Sequence, residues 1–261
     1  MSDALTLWPE DLLQDVYPRM REQELRRAQL QHAPDGPYLC NRRILVGGIV
    51  ITAERLQLSQ PTTFKAVRLL DRVFMSELVN RIEAVPTFQL IAMACILIAA
   101  KLEECSASYP AHWLMSKMLE FVGHRYTIDN FKEVELSALQ FLDWDLNEVT
   151  PRCFLSYFLT KDDDPLELPY TENIKKLSIL LLGLALQDYF FQDYLPSLLS
   201  TSALRVARGI VKQMPGTMVA FEVWPDSMQN LTGYCLADLQ VCSTYLFDIY
   251  CMFVRSSTTP P

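Results

Sequence analysis

Hydrophobic residues recur at three- and four-residue spacing along almost the whole chain. This spacing places them on one face of an α-helix, whereas a half-buried β-strand needs alternating hydrophobic and polar residues, and no segment sustains such alternation. Short runs rich in proline, glycine and aspartate interrupt the pattern and mark the loops between helices. The pattern therefore predicts an all-α fold.

The opening helix and the midpoint of the chain carry two further signals. A helix is predicted from about Pro9 to Leu30, and Pro18 is expected to kink or split it because proline cannot donate a helical hydrogen bond. The loop Lys161-Asp-Asp-Asp-Pro165 falls near the middle of the sequence. We interpret this loop as a boundary between two halves of the chain.

The two halves contain an internal repeat. The longest uninterrupted apolar run, Leu90 to Ala100, aligns with Leu198 to Arg208. It is far shorter than the roughly 20 residues that cross a membrane. Small residues at matching positions let neighbouring helices approach closely, so each segment is predicted to be a central helix surrounded by others. Two more pairs of segments correspond, 64–75 with 174–191 and 127–142 with 232–247, and the sequence thus predicts two tandem helical bundles.

The two copies differ in their charged residues. Lys101 ends the first central helix, where the second copy has Gly209, and Glu135 lies where the second copy has Gln240. Residues kept in one copy only are not needed to build the shared scaffold, which favours a functional role for them. An ordinary solvated helix end is the alternative for Lys101, because cations suit helix C-termini.

Composition and charge narrow the range of functions. Half of the 261 residues are hydrophobic and 21% are charged, which is typical of a packed globular protein. The formal net charge is -8, so phosphate backbones and anionic membranes repel the chain unless a local basic patch compensates. No long basic run is present. We expect neither nucleic acid nor a membrane as a partner.

Motifs for metal binding and catalysis are absent from the sequence. The seven cysteines lack C-x-x-C spacing and the three histidines are scattered, so we expect neither disulfides nor a zinc site. There is also no glycine-rich phosphate loop, no G-x-S-x-G and no H-E-x-x-H. We expect a protein that is not an enzyme and that has no catalytic residue, metal or cofactor. Cysteines of this kind are typical of a reducing compartment, so we expect the protein in the nucleus, the cytoplasm or both.

Five residues have the order and spacing that typify a cyclin box: Arg42, Asp71, Leu90, Lys101 and Glu135. The stretch Ile98-Ala-Ala-Lys-Leu-Glu-Glu104 resembles the cyclin signature, and Trp224-Pro225 with Leu231-Thr-Gly-Tyr234 resembles the end of a second box. The chain therefore resembles a cell-cycle cyclin with two cyclin boxes, most similar to the J type and next to the A and B types. The resemblance implies an N-terminal helix and loop (1–38), a first box (39–148) and a second box (149–254). The polar residues 255–261 are predicted to form a disordered tail.

The resemblance also implies a partner. A cyclin is the regulatory subunit that binds and activates a cyclin-dependent kinase, and substrate or regulator proteins are further possible partners. In cyclins, the residues matching Lys101 and Glu135 contact a kinase helix that must swing inward to complete the ATP site. Apolar contacts of the family pattern map to Leu12, Leu102, Leu139, Trp144 and Leu146. Core packing is the alternative for Trp144 and Leu146.

Two of the matching residues imply a structural role. Arg42 and Asp71 are expected to form an internal ion pair that joins the first two helices of the box. Removing one partner of such a pair costs up to about 3–5 kcal/mol when burial is deep.

A substrate-docking patch of the family is degenerate in this sequence. In cell-cycle cyclins a patch on the first box helix binds Arg-x-Leu segments, and its pattern ends in Asp-Trp. The corresponding residues here are Asn41, Ile44, Leu45, Gly48 and Gln89. Gly48 replaces the tryptophan and Asn41 replaces an apolar residue, which removes apolar area worth about 25 cal/mol per Å². We expect weak or altered substrate docking.

Two alternative functions stay open. A cyclin fold also serves as a scaffold in general transcription factors, although the negative charge of this chain argues against DNA-facing helices. The second alternative is a cyclin-fold adaptor that binds a kinase or another protein without activating it. The Gly47-Gly48 departure from the family pattern keeps this alternative open, while Lys101 and Glu135 favour activation.

Overall fold

The structure is a computed structural model that describes residues 10–29, 37–75, 85–104, 110–122, 125–161, 166–215 and 221–258. Within these ranges the chain forms α-helices and short 3₁₀ turns and no β-strand, which confirms the all-α prediction. The helices are α1 Glu10–Ala28, α2 Pro37–Arg55, α3 Gln60–Met75, α4 Val85–Glu103, α5 Ala111–Phe121, α6 Ile128–Phe141, α7 Pro151–Lys161, α8 Thr171–Gln187, α9 Pro196–Lys212, α10 Asp226–Thr232 and α11 Leu236–Thr258.

The helices form two compact units. One unit is Leu30–Thr150, and the other combines Met1–Gln29 with Pro151–Pro261. The boundary therefore lies at Thr150 and not at the loop 161–165, of which residues 162–165 lie outside the described residues. Pro151 begins α7, because proline suits the first turn of a helix and biases the residue before it towards an extended conformation.

In the first unit, α4 packs against α2, α3, α5 and α6. Every residue from Leu90 to Ala100 is buried, and the alanines and Cys95 in this segment allow the surrounding helices to approach closely. The apolar run thus forms the centre of the first unit, as the repeat predicts.

Arg42 and Asp71 form a buried ion pair in the first unit. The Arg42 Nε atom lies 2.7 Å from Asp71 Oδ1, and a terminal guanidinium nitrogen lies 2.9 Å from Oδ2. The Tyr38 hydroxyl donates to Asp71 Oδ1 at 2.5 Å, and the Tyr38 ring stacks on Phe74 with centroids 4.1 Å apart. This cluster joins α2 to α3, and its fork geometry satisfies two guanidinium nitrogens at once.

The second unit has a central helix of its own. There α9 packs against α7, α8, α11 and α1. Arg208, near the end of α9, is fully buried and forms an ion pair with Glu167, with distances of 2.7 and 2.5 Å between nitrogen and oxygen atoms. The sequence did not identify this pair, although an arginine among the apolar residues of a central helix is a signal for a buried carboxylate partner.

Helix α1 belongs to the second unit. The Tyr17 hydroxyl donates to the Thr232 carbonyl at 2.6 Å. Glu24 is buried and accepts from the Ser197 backbone amide at 2.9 Å and from the Ser197 hydroxyl at 2.6 Å. A carboxylate at the N-terminal end of α9 is also favoured by the dipole of that helix.

Three predictions concern the first and the last helix, α1 and α11. Pro18 lies inside α1, which is one helix, so the proline does not split it. Leu12 lies in α1, but its side chain lies outside the described residues. Helix α11 continues to Thr258, so residues 255–258 are helical although the sequence assigns them to a disordered tail.

In the described part of the chain, no helix has the length and apolar character needed to span a membrane.

Candidate functional site

Lys101 and Glu135 meet at the surface of the first unit. Lys101 lies in the last turn of α4 and Glu135 in α6, and the Lys101 Nζ atom is 2.5 Å from Glu135 Oε1. The Lys101 side chain is 42% exposed and the Glu135 side chain 13%. An ion pair at the surface contributes only about 0–1 kcal/mol to stability, so a partner can open or share it at little cost.

Glu103, the last residue of α4, and Glu104 after it contact the first part of α3 and the residue before it. Glu103 forms an ion pair with Lys65 of α3. Glu104 Oε1 accepts from the Ser59 backbone amide at 2.7 Å and from the Thr62 hydroxyl at 2.5 Å. These contacts hold the end of α4 against the beginning of α3, where a carboxylate suits the helix dipole. Lys101, Glu103 and Glu104 therefore each have a specific partner, which an ordinary solvated helix end would not require.

Trp144 projects from the turn after α6 and is 62% exposed. Asp143 and Trp144 both have left-handed backbone angles, with φ of 52° and 58°, a conformation that costs a non-glycine residue about 1–2 kcal/mol. The following segment is fastened to α3, because Arg72 donates to the Asp145 carbonyl at 2.7 Å and to the buried Glu148 carboxylate at 2.6 Å. The turn thus holds Trp144 outside the core, and core packing does not describe this residue.

Further leucines lie at the end of α4, on α6 and just after Trp144. Leu102 is about half exposed, whereas Leu139 and Leu146 are half-buried. Leu136 is also about half exposed and follows Glu135 directly on α6. The sequence did not single out Leu136, because the family pattern names the leucine one turn later. Charged and apolar groups of this kind suit the binding of another protein. In the part of the chain that the structure describes, no group of His, Cys, Asp and Glu residues could hold a metal ion.

A groove of about 470 Å³ lies beside α2, α4 and the end of α5. Its lining includes four residues of the degenerate docking patch: Ile44, Leu45, Gly48 and Gln89. Asn41 does not line the groove, and its amide donates to the Pro37 carbonyl within α2 at 2.8 Å. A Cβ atom at Gly48 would meet nothing within 4 Å, so the glycine leaves open space. The volume lies in the range of roughly 300–1,000 Å³ that is usual for ligand sites.

Comparison with known protein families assigns both halves of the chain. The model for the cyclin N-terminal domain matches residues 15–147, and the model for the cyclin C-terminal domain matches residues 149–259. The chain belongs to the cyclin family. The tandem bundles are thus two cyclin boxes, which confirms the family resemblance of the sequence.

Curated relatives include several A-type cyclins of plants. Cyclin-A1-3 of Oryza sativa subsp. japonica is 28% identical over 253 residues, which cover 92% of this cyclin and 47% of that protein. Cyclin-A3-2 of Arabidopsis thaliana is 26% identical over 244 residues, which cover 90% of this cyclin and 61% of that protein. This cyclin therefore spans about half the length of several curated relatives. The greater likeness to the J type stays a prediction.

Two solved structures share the fold. A viral cyclin from herpesvirus saimiri aligns with a TM-score of 0.67 and 19% identity, covering 90% of this cyclin and 96% of that chain. A chain of the CAK complex of Chaetomium thermophilum bound to ATP-gamma-S aligns with a TM-score of 0.57 and 14% identity, covering 93% of this cyclin and 75% of that chain. At these identities the likeness concerns the fold alone.

Proposed function

We propose that this cyclin is a regulatory subunit that binds a cyclin-dependent kinase and activates it, in the nucleus or the cytoplasm. The proposal rests on the Lys101–Glu135 pair, which is present in the first cyclin box and replaced by Gly209 and Gln240 in the second. A surface pair that adds little to stability and is absent from the sister box is best explained by the binding of a partner.

The pair can recognise one position of a mobile kinase helix. The Lys101 ammonium has three donor hydrogens, of which Glu135 Oε1 accepts one. The remaining donors suit free carbonyls at the C-terminal end of a helix, and the Glu135 carboxylate suits free amide groups or a basic side chain. If both contacts form only when the kinase helix is in its active position, binding shifts the kinase population towards the active state. The kinase supplies ATP, magnesium and catalysis.

Trp144 is the proposed anchor of the interface. Its ring is exposed, and Arg72 fastens the segment that follows it through the Asp145 carbonyl and the Glu148 carboxylate, so little loop ordering is needed on binding. We expect Trp144→Ala to weaken kinase binding by at least about 2 kcal/mol, roughly 30-fold in Kd. The matched control is Phe253→Ala, which removes an exposed aromatic ring from α11 of the other unit. Titration calorimetry with the purified kinase measures both, and equal effects of the two variants would contradict the assignment.

The experiment that tests the function is co-expression with a panel of cyclin-dependent kinases, followed by purification and phosphorylation of a Ser-Pro peptide. The test variant is Lys101→Ala with Glu135→Ala. The control is Lys117→Ala with Glu120→Ala, which removes another exposed ion pair of the same unit, with 3.1 Å between Nζ and Oε2. We expect an active complex that the test variant loses and the control variant keeps.

Two other results would overturn the proposal. A complex that forms with wild-type protein but stays inactive would identify a non-activating adaptor. The absence of any complex with folded protein would point to a scaffold. Thermal unfolding of both double variants checks that neither loses more than the roughly 1 kcal/mol expected for a surface ion pair.

A further inference from the structure

The groove beside α2 and α4 has an apolar lining with a partly exposed rim. Ile44 and Ile51 of α2 are 71% and 53% exposed, while Met93 of α4 is buried. Phe121 and Val122, at the end of α5, complete the apolar part of the lining. Exposed branched side chains at the mouth of an open groove are free to cover the apolar side chains of a bound segment.

The charges of the groove are of one sign. Of the described residues that line it, Arg55 and Arg125 are charged and none is acidic. The Arg55 guanidinium lies over the Phe121 ring, 5.4 Å from its centroid, a contact that positions the cation without neutralising it. Arg125 is exposed. Both positive charges therefore border a groove whose other lining residues are uncharged and mostly apolar.

We propose that this groove binds a short extended segment of a partner protein in which apolar residues are flanked by Asp or Glu. Apolar side chains of the segment occupy the space left open at Gly48, and the acidic flanks lie against Arg55 and Arg125. The Gln89 amide, also in the lining, can donate to and accept from the backbone of the segment. A role of the groove in recruiting substrates rests on the proposed kinase-regulatory function. Binding of the segment does not rest on that function.

The local charge opposes the charge of the whole chain. With a net charge of -8, the long-range field of this cyclin repels acidic segments. Charges separated by more than about 8 Å are largely screened at physiological ionic strength, so the two arginines decide the preference inside the groove. An Arg-x-Leu segment, which the family resemblance implies, places a cation beside these cations. The groove thus selects against such segments.

The test measures fluorescence anisotropy of this cyclin alone with three labelled peptides. All carry the same Leu-Ala-Leu core, flanked on both sides by Glu, Gln or Lys. We expect the acidic peptide to bind at least about 10-fold more tightly than the basic one, with the neutral peptide between them. Raising the salt concentration should narrow the difference, because it screens the charges at the exposed rim.

Three variants locate the binding. Arg125→Glu should abolish or reverse the charge preference, and Arg43→Glu is the matched control, since Arg43 is an exposed residue of α2 outside the groove lining. Ile44→Ser, at a side chain exposed enough to leave folding intact, should weaken all three peptides. Circular dichroism confirms folding of each variant.

Several results would overturn the proposal. These are tighter binding of the basic or the neutral peptide, an unchanged preference in Arg125→Glu, or no binding of any peptide. None of them affects the kinase co-purification and activity assay, so failure of the groove proposal and failure of the proposed function are distinguishable.

Discussion

Arg42 and Arg208 are among the largest fully buried side chains of the protein, and each meets one carboxylate through two nitrogens. Removing either member of such a pair leaves a charge in an environment that cannot solvate it. Lys101 differs, because its side chain is 42% exposed and water can replace its partner. Burial therefore separates the ion pairs of the core from exposed pairs such as Lys101–Glu135 and Lys117–Glu120, which water can open.

The first prediction concerns the buried pair. Arg42→Ala should lower the free energy of unfolding by about 3–5 kcal/mol, because Asp71 stays buried without its counter-ion. Arg43→Ala, at the exposed neighbouring position, should change it by less than about 0.5 kcal/mol. Urea denaturation measures both values. Similar values for the two variants would show that the Arg42 side chain is not held as described.

The second prediction concerns pH. Burial raises the pKa of the Tyr17 hydroxyl to about 12, whereas tyrosine in an unfolded chain titrates near pH 10. Between these values the unfolded chain has lost a proton that the native protein keeps, so stability falls as the pH rises from about 10 to about 12. Tyr17→Phe removes this contribution. The stability difference between wild type and variant, from urea denaturation, should be smaller at about pH 11 than at about pH 9, and a constant difference would contradict the prediction.

At the scale of helices and turns, two helices are followed by residues with left-handed backbone angles. Gln57 follows α2 with φ of 55°, and Asp143 and Trp144 follow α6. The Gln57 amide donates to the Glu54 carbonyl at 3.0 Å, and the Leu58 amide to the Ala53 carbonyl at 2.9 Å. These bonds satisfy carbonyls that the last turn of α2 leaves free.

The third prediction follows from the turn after α2. Gln57→Gly should stabilise the protein by roughly 0.5–1 kcal/mol, because glycine adopts a positive φ without strain, and this gain exceeds its greater loss of chain entropy. Gln57→Val should destabilise it, because a β-branched side chain suits this conformation poorly. Gln57 is exposed, so packing does not obscure the comparison. Thermal unfolding decides the order, and a less stable glycine variant would show that the turn is not strained.

The sequence was sufficient to predict those helices whose own residues carry the pattern. The small and apolar residues of α4 and α9 predicted central helices, and the cyclin-box spacing brought Lys101 and Glu135 to one surface. Arg208 signals a buried carboxylate, but no local pattern identifies Glu167, which lies 41 residues away along the chain. The exposed position of Trp144 depends on the bonds of Arg72 to a segment 73 and more residues away along the chain, and no local pattern encodes them.

At the scale of the whole molecule, the chain does not divide at one point. Helix α1 belongs to the unit formed by α7 to α11, while α2 to α6 form the other unit. The sequence assigned residues 1–38 to a separate N-terminal helix and loop. The polar surface of α1 resembles that of any surface helix, so its sequence does not show which unit it completes. Its contacts with Ser197, Thr232 and Tyr234 show this.

The fourth prediction tests this membership. Glu24→Ala leaves the buried backbone amide of Ser197 without its acceptor, a loss of about 1–3 kcal/mol. Hydrogen exchange should show amide protection reduced by about 10- to 100-fold in α7 to α11 and unchanged in α2 to α6. Glu22→Ala, at an exposed glutamate of the same helix, is the control and should leave both units unchanged. A loss of protection in α2 to α6 would show that α1 does not belong to the unit formed by α7 to α11.

The membership of α1 also sets the order in which the protein is completed on the ribosome. In chain order, Leu30–Thr150 is an insertion between two segments of the other unit. At synthesis rates of about 5–20 residues per second, α1 leaves the ribosome on the order of 10 s before α9 is made. The inserted unit can fold as soon as it emerges, whereas the unit around it stays incomplete until α11 has been made. The apolar faces of that unit stay without their partners for longer, and exposed apolar surface of this kind is prone to aggregation.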